Sequence, residues 1–132
     1  MRLTWKDGLA TAFVGSAVAV YGVWMAGTDV LGLTTARAVS AVVLILGMAG
    51  CYAARSYFGP IYGAEGGNRT SVPYAVLVST FGIVALVAAV VALIGGSTAA
   101  LTTLIVAMVI LWAMATIHHL MMGRAHDLAA VR

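Results

Sequence analysis

Four long stretches of this chain carry no charged side chain, and each approaches the length that a helix needs to cross a bilayer. A helix rises about 1.5 Å per residue, so roughly 20 apolar residues traverse the hydrocarbon core. Gly8–Gly27 supplies twenty residues without a charge. Ala38–Ala54 is shorter, but Arg37 and Arg55 at its ends can snorkel to the interfaces. Val72–Ile94 follows Asn68-Arg69-Thr70-Ser71, with Pro73 in the first turn, where a missing N–H is harmless. Thr98–Met122 follows the breaker Gly95-Gly96-Ser97 and ends before Gly123-Arg124. Lipid cannot satisfy free backbone groups, which forces helices on these segments. Barrel strands would alternate polar and apolar residues, and these runs are continuously apolar. The expected fold is all-α: an integral membrane four-helix bundle, residues 1–132 forming a single transmembrane domain.

Composition agrees. Only 8% of the residues are charged and 63% are hydrophobic, with a mean hydropathy of +1.07. A soluble domain carries about 25% charged residues, and one of this size has too much surface to cover with so few. The net charge of +3 sits at the ends of the apolar runs with no basic, aromatic-interleaved stripe, which argues against nucleic acid as a partner. Arg2 and Lys6 before an apolar stretch, with Ala17-Val18-Ala19 beyond, imitate a secretory signal. The run continues to Gly27, long for a signal core, so a retained anchor is expected. Six of the seven basic residues are Arg, and Ala, Val and Gly are abundant, a usage typical of high-GC bacteria.

The basic residues set an orientation. Arg2 and Lys6 precede the first span, Arg55 and Arg69 lie between the second and third, and Arg124 and Arg132 follow the fourth. Only Arg37 lies on the other side. The chain is therefore expected in the bacterial cytoplasmic (inner) membrane as two antiparallel transmembrane hairpins, with both termini cytoplasmic. Small residues mark close-packing faces: Gly15/Ala19 and Gly22/Ala26, Gly47/Cys51 and Gly50/Ala54, and Ala85/Ala89. Packing within the bundle is the expectation for most of them; a seam between copies is the alternative.

Few side chains suggest chemistry. His118 and His119, with Met114, Met121 and Met122 nearby, offer soft donors of the kind that bind copper or haem. Adjacent helix positions point about 100° apart, however, so one ion is hard for both imidazoles to grip. Interfacial histidines are the plainer reading, and no motif calls for a cofactor. Asp29 and Arg37 are expected to form a rim ion pair across the ends of the outer loop; with Ser79 and Thr80 they could instead form a polar pore or mouth. No Asp, Glu, Lys or Arg lies deep in any span, as ion-coupled transporters and proton relays require. The Gly-rich segment Arg55–Ser71 has no preceding strand and no following P-loop Lys, so it reads as an interfacial connector rather than a phosphate cradle. Cys51 alone can form neither an internal disulfide nor a multi-thiolate site.

The opening Met1-Arg2-Leu3-Thr4-Trp5-Lys6-Asp7, followed by four Ala/Val-rich spans, resembles small four-span membrane proteins of actinobacteria. The resemblance implies a topology and a source, not an activity. Small multidrug transporters carry a glutamate in their first span, and quinone-linked thiol oxidoreductases carry paired cysteines; neither is present. Ser79-Thr80-Phe81 echoes the break in the third span of fluoride channels, but the second span lacks their polar Asn. The leading expectation is a non-enzymatic scaffold, accessory subunit or membrane-organising protein, in contact with lipid and as part of a homo-oligomer or larger membrane complex. The alternatives are a homo-oligomeric channel or small-solute transporter, with hydroxyls such as Ser16, Ser79, Thr80, Thr102 and Thr103 on a pore face, and a metal- or haem-binding redox protein using His118 or His119.

Overall fold

A computed structural model describes residues 5–29, 32–53 and 72–132, apart from the side chains of Lys6 and His126. These residues form four helices: α1 (Trp5–Met25), α2 (Ala36–Ala53), α3 (Val72–Gly95) and α4 (Thr98–Ala130). All four are long and apolar enough to cross a membrane. At 1.5 Å per residue they measure about 31, 27, 36 and 50 Å, against a hydrocarbon core of about 30 Å.

Each helix overlaps one expected span; most ends shift by one to three residues, and one shifts by eight. α1 begins at Trp5 rather than Gly8. More notably, α4 continues past Met122 to Ala130. Gly123 does not stop it, because one glycine inside a helix costs only about 1 kcal/mol relative to alanine. The residues that follow include Ala125, Leu128, Ala129 and Ala130, good helix formers that carry the helix onward. With about 20 Å more length than the hydrocarbon core needs, α4 has turns to spare for an interface or water. Those last turns carry Arg124 and Asp127, both exposed.

α1 packs most extensively against α2, and α3 against α4. The link between α3 and α4 is only Gly96-Ser97. Gly96 adopts φ +62°, a left-handed conformation that favours glycine, and a Cβ there would also meet the Arg37 side chain at 3.4 Å. Ser97 then caps α4: its backbone is extended and its Oγ accepts from the Ala100 N–H at 3.3 Å.

The core is built mostly of small and β-branched side chains. Ala17 of α1, Val39 and Val43 of α2, Ala88, Ala89 and Ala92 of α3, and Leu101, Leu104 and Ile105 of α4 form one buried cluster. Short side chains allow close backbone approach, the main source of helix association in lipid, where apolar burial alone gives little driving force. Most of this cluster comes from the N-terminal halves of α2 and α4 and the C-terminal half of α3. The tightest packing therefore lies toward the end of the bundle that contains Arg37 and Gly96.

Of the small residues expected to pack on the second and third spans, Gly47, Gly50, Ala85 and Ala89 are used inside the bundle, whereas Cys51 is exposed and Ala54 lies outside the described residues. Gly50 is buried, with a would-be Cβ 3.6 Å from Phe13 Cβ, and Gly47 stands over Met108, with a would-be Cβ 3.3 Å from its Sδ. Ala89 is 1% exposed, and Ala85 packs against the same core.

Candidate functional site

The face of α1 behaves differently. At about 100° per residue, Gly8, Ala12, Gly15, Ala19, Gly22 and Ala26 fall on one stripe. All six are exposed, and a Cβ built on Gly8, Gly15 or Gly22 would meet nothing within 4 Å. Ala17, the buried core residue of α1, lies on the opposite side of the helix. The bundle thus holds α1 by its Ala17 side and leaves the small-residue side outward. This corrects the expectation of packing within the bundle for Gly15/Ala19 and Gly22/Ala26.

Other outward surfaces are different in kind. α3 presents Val76, Leu77, Ile83, Leu86, Val87, Val90, Val91 and Ile94, all large and exposed. Branched aliphatic side chains suit contact with acyl chains, whereas a groove of Gly and Ala suits the close approach of another helix.

α1 is attached to α4 along a polar seam. Asp7 Oδ2 lies 3.8 Å from His119 Nε2. The Trp112 Nε1–H donates to Thr11 Oγ1 at 3.2 Å. Tyr21 Oη and Thr102 Oγ1 are 2.7 Å apart. Because the Thr102 hydroxyl donates to Thr98 O at 2.9 Å, the tyrosine is the donor of the shared bond. Residue numbers rise along α1 as they fall along α4, so these contacts run nearly the length of α1. Sequence reasoning missed this seam; the available signal was a Thr, a Tyr and an Asp on the side of α1 away from its small-residue stripe or at its edge.

The histidine pair is divided between two neighbours. His118 turns to α3 and stacks on Tyr74, with ring centroids 4.5 Å apart and an interplanar angle of 21°. The Tyr74 hydroxyl in turn donates to Met114 O at 3.3 Å. His119 turns to α1 and Asp7. The two imidazoles therefore follow the 100° divergence of adjacent helix positions and do not converge on one point. Among the described residues, no three His, Cys, Asp or Glu side chains group together as a metal site would require. Met121 and Met122 are exposed.

The four residues expected at a polar mouth do not assemble. Arg37 does not pair with Asp29, which is exposed; its Nη2 donates instead to Ile94 O at 2.9 Å, tying the start of α2 to the end of α3. The carbonyls at a helix C-terminus lack partners within the helix, so a guanidinium there satisfies one of them and meets the negative end of the helix dipole. Ser79 and Thr80 lie roughly 20 Å further along α3, at 1.5 Å per residue. The Thr80 hydroxyl is exposed and donates to Val76 O at 2.8 Å. Thr103 likewise donates to Ala99 O at 2.9 Å. Such bonds to the preceding turn satisfy a hydroxyl within its own helix. The buried Ser40 does the same with Ala36 O at 2.6 Å. Cys51 is exposed, and the Gly-rich segment Arg55–Ser71 lies outside the described residues.

No family model, curated protein or solved structure matches the chain.

Proposed function

We propose that this chain is a non-enzymatic, multi-pass protein of the bacterial cytoplasmic membrane, acting as a scaffold, accessory subunit or membrane-organising protein through helix–helix contact. The observation that carries the reading is the outward small-residue face of α1, set beside outward faces of large aliphatic side chains on α3. A helix that packs its Ala17 side into the bundle and leaves Gly8, Gly15 and Gly22 open is shaped to accept another transmembrane helix.

In this reading α1–α2 and α3–α4 are two antiparallel hairpins with both termini cytoplasmic. Three observations support antiparallel neighbours: the Arg37–Ile94 bond joins the start of α2 to the end of α3, only two residues link α3 to α4, and the α1–α4 contacts pair rising with falling residue numbers. The bias of six basic residues to one against the other supports the direction.

Native mass spectrometry of protein extracted gently from its own membrane tests the proposal. A defined complex with another polypeptide, or a homo-oligomer without solute flux in proteoliposomes, supports it. A homo-oligomer that conducts a solute favours the channel instead, and a strictly monomeric species contradicts the proposal.

A further inference from the structure

We draw no further inference here: the strongest candidate, the side-chain cluster where His119 faces Asp7 and His118 stacks on Tyr74 between α1, α3 and α4, belongs to the site already described and shows no ligand or reaction beyond it.

Discussion

Gly15→Leu places four added carbons in the middle of the outward face of α1. Within a single chain these atoms meet little, since even the first of them finds nothing within 4 Å. The intrinsic preference of leucine over glycine in a helix then stabilises the bundle by up to about 1 kcal/mol. Gly50→Leu is the matched control. Its first carbon reaches ordinary contact, 3.6 Å from Phe13 Cβ, and the remaining three push into the contact between α1 and α2. Overpacking of this kind costs about 1–3 kcal/mol. If another helix docks on α1, Gly15→Leu should place that cost on association instead of folding. At 1.4 kcal/mol per tenfold, association weakens by about 5- to 140-fold. Reversible unfolding in mixed micelles measures the first quantity, and energy transfer between labelled proteins in native-like membranes measures the second. Equal loss of fold stability in the two variants, or unchanged association in Gly15→Leu, would refute the assignment of inside and outside.

Other consequences concern the seam and the core. Ala17 is fully buried, so Ala17→Leu should cost about 1–3 kcal/mol in the same unfolding assay, unlike Ala19→Leu on the open side. Tyr21→Phe removes one interhelical bond but leaves the Thr102 hydroxyl donating to Thr98 O; with no donor orphaned, the loss should be about 0.6 and at most about 1.7 kcal/mol. Asp7→Asn keeps the side chain's size and removes its charge from a contact whose His119 side chain is 48% exposed, so screening by water should hold its effect to about 1 kcal/mol or less. Proteoliposomes should show no solute flux that depends on the Thr80 hydroxyl, and flux abolished by Thr80→Val would sink the scaffold reading in favour of a channel.

The spans were legible because lipid leaves the backbone no alternative to helix once charge disappears for about twenty residues. Their ends were less so. Gly123-Arg124 reads as a stop, but a single glycine is a small penalty when alanine and leucine follow. Which glycines face inward could not be read at all. Gly15/Ala19 and Gly50/Ala54 present the same small-residue spacing, yet Gly50 lies against Phe13 and Gly15 lies open. In a water-soluble helix the polar side would mark the exterior; in α1 the outward stripe is Gly and Ala while Asp7, Thr11 and Tyr21 meet α4, so only the placement of its neighbours decides. The histidine pair was legible in one respect, since adjacent positions diverge by about 100° and the rings do go to different helices. Arg37 was not: opposite charge suggested Asp29, while the carbonyl at the end of α3 offered a partner that no sequence pattern advertises. The polar seam escaped for the same reason, because pairing Tyr21 with Thr102 requires knowing how α1 and α4 are aligned.

The most direct test is a single-cysteine scan along α1, from Gly8 to Gly22, in a Cys51→Ser background in native membranes. With a photoactivatable cross-linker attached to each cysteine, the account predicts cross-linking, to a second copy or to another polypeptide, that peaks at positions 12, 15, 19 and 22 and falls to nothing at 17. Cross-linking that shows no such periodicity, or that at no position exceeds a control cysteine at Leu86 on the aliphatic face of α3, would contradict it.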